Sequence, residues 1–212
     1  MEILSLLGIK SANFLDILGF VLGILYLIWE YKADPKMWIA ELIMPLIMMW
    51  LFFTKGIYGD CAMNAYYFFI AIYGYIAWTR HKPKKNAVQK EPGSPSPQKK
   101  ARPITHISWK VLSACVIAFL CIYAVIAYLL IRFTDSQVPH LDAFTTSLSI
   151  VAMWMLARKY AEQWFAWILV DVVSCGLYFY KGLPWSAVRY GIYTIVAVFG
   201  YLNWIKLMKN SE

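Results

Sequence analysis

One stretch of this chain returns, without a gap, 126 positions further on. Phe53, Lys55 and Gly56 recur as Phe179, Lys181 and Gly182, and Tyr67 recurs as Tyr193. Ala71, Gly74, Tyr75 and Trp78 recur as Ala197, Gly200, Tyr201 and Trp204. The same offset pairs Leu15-Asp16 with Leu141-Asp142, Trp38 with Trp164, Ala40 with Ala166 and Lys32 with Arg158. Chance likeness between apolar helices explains paired Leu and Ala, but not Gly, Tyr and Trp at fixed spacing. A chain with one duplicated half is built around a pseudo-symmetry axis. In membranes, that duplication typifies transporters with the substrate site at the repeat interface.

The duplicated chain belongs in a membrane. It is 61% hydrophobic and 17% aromatic over 212 residues, where a soluble domain is about half apolar. Its net charge of +8 is not a nucleic-acid signal, because the basic residues flank the apolar runs. Cys61, Cys115, Cys121 and Cys175 show no C-x-x-C spacing, so neither a disulfide framework nor a metal site is expected. His81, His106 and His140 lie outside the runs, and no H-E-x-x-H, G-x-S-x-G or Walker pattern is present. The expectation is no enzyme, no cofactor and no ATP-driven pump. The first apolar run has its own counterpart in the second half, so it is read as a helix rather than a cleaved signal peptide.

Seven runs approach the roughly 20 apolar residues that a bilayer requires: Phe14–Trp29, Trp38–Phe53, Cys61–Trp78, Val111–Ile131, Ala143–Ala157, Trp164–Tyr180 and Ala187–Leu207. Between the third and fourth lies a Lys-, Arg- and Pro-rich stretch, read as a flexible basic cytoplasmic linker over 79–108. With that linker inside, 15 of the 20 Lys and Arg fall on the cytoplasmic side and 5 outside, which places the N-terminus outside and the C-terminus inside. The expected fold is all-α and integral to the membrane. Seven transmembrane helices form 3+1+3 parallel repeats, as in facilitators of the SWEET type. The first repeat covers 12–78, a linking helix covers 109–132 without charged residues in its apolar run, and the second repeat covers 141–207.

Ionisable residues inside such spans are functional candidates by default. Glu41 and Asp171 lie on corresponding helices of the two repeats, and Asp171 is the deeper. Trp164, Trp167 and Asp171 follow an i, i+3, i+7 spacing that puts them on one helical face. Two indoles and a carboxylate suit an aromatic cation, by stacking, cation–π attraction and charge neutralisation. The competing reading is an interfacial aromatic belt with a structural acid. Trp38, Asn64, Tyr67 and Tyr178 complete the expected substrate-binding set, with Tyr73, Tyr193 and Asn203 as further cavity-lining positions. Gly19-x-x-x-Gly23 is read as a helix-packing element.

At these residues the sequence resembles the Pnu-type bacterial vitamin transporters, over nearly the whole chain except the linker. The resemblance rests on Asp142-Ala-Phe-Thr-Thr, Met155-Leu-Ala-Arg-Lys, the W-x-x-W-x-x-x-[ND] pattern met by Trp164, Trp167 and Asp171, Lys181-Gly182-Leu183, and Gly200-Tyr-x-x-Trp204. It implies facilitated diffusion of a water-soluble vitamin across the bacterial inner membrane, with trapping by a cytoplasmic kinase. A homo-oligomer is compatible with it. Asp171, where the riboside branch tends to carry Asn, favours a cationic substrate. Thiamine is the leading expectation and nicotinamide riboside the alternative. A sugar facilitator or a non-transporting membrane scaffold would share the fold.

Overall fold

The computed structural model describes residues 22–54, 58–80, 102–134, 136–182 and 184–210. The start of the first run, with Leu15, Asp16 and Gly19, lies outside them, as do Lys55, Gly56 and linker residues 81–101. The described residues form seven helices: α1 (Leu22–Tyr31), α2 (Met37–Thr54), α3 (Tyr58–Thr79), α4 (Trp109–Phe133), α5 (Pro139–Ala157), α6 (Gln163–Tyr180) and α7 (Pro184–Lys209). The chain divides into two compact units, Met1–Thr79 and Arg80–Glu212. In the first, α2 packs on α3; in the second, α4 packs on α5, α5 on α6 and α6 on α7.

The internal repeat reappears in the helix register. α2 and α6 each span 18 residues, and the starts of α3 and α7 are separated by the same 126 positions. The turns between helices match bond for bond. After α1, Ala33 N–H donates to Glu30 O (2.9 Å) and Asp34 N–H to Trp29 O (2.9 Å). After α5, Lys159 N–H donates to Leu156 O (2.8 Å) and Tyr160 N–H to Met155 O (3.1 Å). This is the Schellman ending, which requires a left-handed residue just past the helix. Ala33 and Lys159 supply it, at φ 53° and 59°.

The repeated glycines and tryptophans form one contact, made twice. A Cβ on Gly74 would fall 2.4 Å from the Trp38 ring, and one on Gly200 would fall 2.6 Å from Trp164. Trp38 meets Trp78 edge-on at 5.6 Å, and Trp164 meets Trp204 edge-on at 5.7 Å. All four indoles are buried. Glycine is required there because only a bare backbone admits the ring face. The close approach locks α2 to α3 and α6 to α7.

Among the described residues, three helices are apolar and long enough to cross a membrane: Trp109–Phe133, Gln163–Tyr180 and Ala187–Lys209; Leu22–Tyr31 and Met37–Trp50 are shorter apolar helices. α5 is long enough, at 19 residues or about 28 Å, but is more polar than a lipid-facing span. Three of its hydroxyls are satisfied within the helix: Ser149 donates to Thr145 O (2.8 Å), Thr145 to Leu141 O (3.1 Å), and Ser147 to Ala143 O. Such back-bonding removes the penalty of burying Ser and Thr. α4 buries Cys115 against Val151 and Met155 of α5, while Ile117, Leu120, Val125 and Ile131 stay exposed, an arrangement suited to lipid on that face.

The linker ends earlier than its composition suggests. Residues 102–108 were expected to be flexible, yet they are tied to the α5–α6 turn. Thr105 and Tyr160 form an isolated β-bridge, and Ile104 and Ile107 turn their side chains away from water. Ile104 and Ile107 bracket polar Thr105 and His106, and the backbone of Thr105 pairs with the turn.

Candidate functional site

α6 carries the most distinctive chemistry of the second unit. Trp164 is fully buried beneath Gly200, and Asp171 is only 6% exposed. Trp167 is half-buried, with its indole nitrogen shielded from solvent. The Nε1–H groups of Trp164 and Trp167 have no hydrogen-bond partner among the described residues. Asp171 makes neither a hydrogen bond nor an ion pair there, although it lies within electrostatic reach of Tyr190. One helix face therefore presents two indole donors and one carboxylate, all unpaired. An unpaired buried donor typically costs about 1–3 kcal/mol, and an unpaired charge more.

Towards the end of α6, Tyr178 stacks on Tyr190 of α7, with centroids 5.1 Å apart and planes 5° from parallel. Tyr193 meets Tyr190 nearly edge-on at 5.9 Å. The Arg189 guanidinium lies 5.4 Å from the Tyr190 ring centre. Tyr178, expected as substrate-binding, and Tyr193, expected as cavity-lining, thus both border Tyr190, which the sequence reading did not single out. The offset could have found it: Tyr190 is the counterpart of Asn64, which the sequence did single out.

The first unit gathers a different set. Glu41 of α2 and Tyr67 of α3 lie within electrostatic reach of Tyr26 on α1, whose hydroxyl donates to Glu30. Glu30 is 2% exposed. Its counterpart in the second repeat is apolar Leu156, and that correspondence was the available signal for a buried position. Pro45 sits inside α2 four residues after Glu41. Proline has no N–H, so the backbone carbonyl of Glu41 loses its helical donor close to its own carboxylate. Trp38 is buried against Gly74 and Trp78, again with its Nε1–H unpartnered. Asn64 is half-buried, whereas Tyr73 is exposed. Glu41 belongs to the first unit and Asp171 to the second.

Trp164 is placed differently from the stacking surface expected of it, and Trp38, of the expected substrate-binding set, is placed in the same way. Their rings are occupied by a glycine backbone and a partner indole, so only their N–H edges remain available. Trp167, one turn further along α6, keeps the freer ring.

Apolar membrane-length helices bearing a buried, unsatisfied polar face define the architecture of a multi-pass membrane transport protein. Residues 13–206 match the family described as nicotinamide mononucleotide transporters, and the chain belongs to that family. It is 27% identical to the nicotinamide riboside transporter PnuC of Neisseria mucosa over 225 residues, covering 99% of this chain and 81% of that protein. It is 27% identical to the PnuC of Escherichia coli, covering 73% of this chain and 70% of the relative. The riboflavin/roseoflavin transporter RibM of Streptomyces davaonensis is also 27% identical, across 89% of this chain and 83% of RibM. The crystal structure of the vitamin B3 transporter PnuC shares the fold, with a TM-score of 0.66 at 24% identity, covering 99% of this chain and 91% of that one.

Proposed function

We propose that this chain lets a cationic, ring-bearing vitamin equilibrate across the bacterial inner membrane, and that the vitamin is nicotinamide riboside. The observation that carries this reading is the α6 face, where Trp164 Nε1–H, Trp167 Nε1–H and the Asp171 carboxylate are buried together without partners. A ligand completes such a face. Its cation neutralises Asp171, its hydroxyl or amide oxygens accept from the indoles, and its ring stacks beside Trp167. The thiazolium cation of thiamine would also neutralise Asp171. The pyridinium of nicotinamide riboside satisfies the same carboxylate, and the substrates named for the relatives support it over thiamine. Thiamine remains a second reading only through Asp171.

In this reading the chain spans the bilayer seven times as 3+1+3 parallel repeats, with the N-terminus outside. The matching turn geometry and the basic-residue bias support that arrangement. Transport is uniport, made unidirectional by phosphorylation of the vitamin inside the cell. Titration of the purified protein with nicotinamide riboside, thiamine and glucose, followed by tryptophan fluorescence, tests it. Saturable quenching, tightest for nicotinamide riboside and absent for glucose, is expected. Tightest quenching by thiamine would return the assignment to thiamine, and no response to either vitamin would remove the vitamin reading.

A further inference from the structure

The two equivalent turns differ in one respect. The α5–α6 turn is held by an outside segment through five polar contacts. Thr105 N–H donates to Lys159 O (3.1 Å), and Ala161 N–H to Thr105 O (3.1 Å). Lys159 Nζ donates to Arg102 O (3.0 Å). Glu162 receives Ile107 N–H on one carboxylate oxygen (2.9 Å) and His106 Nδ1 on the other (2.6 Å). In the first repeat the positions of Lys159, Tyr160 and Glu162 are Ala33, Asp34 and Lys36. Ala33 carries no amine in place of Lys159 and Lys36 no carboxylate in place of Glu162, and Asp34 caps its own turn through Lys36 N–H (2.9 Å).

Glu162 is the residue immediately before α6, two positions before Trp164 and five before Trp167. Whatever fixes Glu162 fixes the start of the helix whose face carries the unpaired donors. Ile107 and Tyr160 also pack against the α4–α5 core around Cys115, so the strap is anchored at both ends.

We propose that residues 102–108 are a static strap and that Glu162 is a positioning residue. It sets the rotation and height of α6, and with them the placement of Trp164, Trp167 and Asp171, without touching the substrate. The second repeat is then held fixed at this end. This rests on α6 being the binding face.

The test uses the full chain in proteoliposomes with labelled nicotinamide riboside. Glu162→Gln should raise KM at least threefold while the maximal rate changes less than twofold and the melting temperature holds. A second form adds Thr105→Cys and Tyr160→Cys, because bridge partners lie within disulfide reach. Oxidation should then restore the KM of Glu162→Gln, reduction should bring the defect back, and transport should persist with the strap locked. An unchanged KM in well-folded Glu162→Gln would overturn the proposal. So would loss of transport on oxidation that reduction reverses, since a strap that must open is not static. Loss of the vitamin response in the parent chain would instead sink the binding-face reading, so the two failures are distinct.

Discussion

Ala33 and Lys159, 126 positions apart, both hold a left-handed backbone, at φ 53° and 59°. Neither is glycine, and the left-handed region costs a residue with a Cβ roughly 1–2 kcal/mol. Each nevertheless ends its helix with the same pair of backbone bonds, so the turn is enforced by the surrounding packing. Ala33→Gly should therefore raise stability by about 0.5–1 kcal/mol, less the extra chain entropy of glycine. Lys159→Gly should gain less or lose, because its amine also holds Arg102 O. Thermal unfolding in detergent reads both, and a clear loss for Ala33→Gly would contradict the strain.

Gly74 and Gly200 should fail alike. An added methyl would stand 2.4 Å from the Trp38 ring and 2.6 Å from Trp164, and neither indole has free space to retreat. Overpacking of this kind typically costs about 1–3 kcal/mol. Both Ala variants should lower the melting temperature by similar amounts. A variant that melts as the parent does would show that the clamp is slack.

Lys181 and Asp142 form an ion pair of 3.0 Å that is partly open to solvent. Lys181→Met should cost under about 1 kcal/mol, because such pairs are screened and entropically expensive. Asp142→Asn should cost more than Lys181→Met, since Asp142 also receives the Ser136 hydroxyl at 2.7 Å. Melting temperatures in low and high salt separate the two: the Lys181 effect fades with salt, and equal effects would contradict the network.

Asp171→Asn keeps shape and removes charge. Losing a charge-assisted contact is worth about 1.5–3 kcal/mol, roughly ten- to a hundredfold in affinity. The variant should weaken a cationic vitamin more than a neutral analogue, and Trp167→Ala should weaken both. A cation-to-neutral affinity ratio that stays fixed in folded Asp171→Asn protein would remove the proposed role.

Much of the fold could be read from residues whose geometry leaves few choices. Gly200 and Trp204 recur because a ring face needs a bare backbone, and α6 was bounded to within a residue by Trp164 and Tyr180. What escaped depends on where side chains point. Glu30 is an acid whose buried position is signalled only by its apolar counterpart Leu156. Tyr190 is one tyrosine among 15 until it stacks on Tyr178. The strap was hidden because Thr105 and His106 carry no apolar periodicity and bond to Lys159 and Glu162, more than 50 positions away. On the α6 face, Trp164, Trp167 and Asp171 could be aligned by spacing alone, but spacing did not reveal that Gly200 occupies the ring of Trp164.

Uptake into proteoliposomes without any ion gradient tests the central claim most directly. Labelled nicotinamide riboside should enter protein-containing vesicles until inside and outside concentrations are equal, and unlabelled nicotinamide riboside should compete while glucose does not. Entry no faster than into protein-free vesicles, or accumulation that requires a sodium or proton gradient, would contradict a vitamin uniporter.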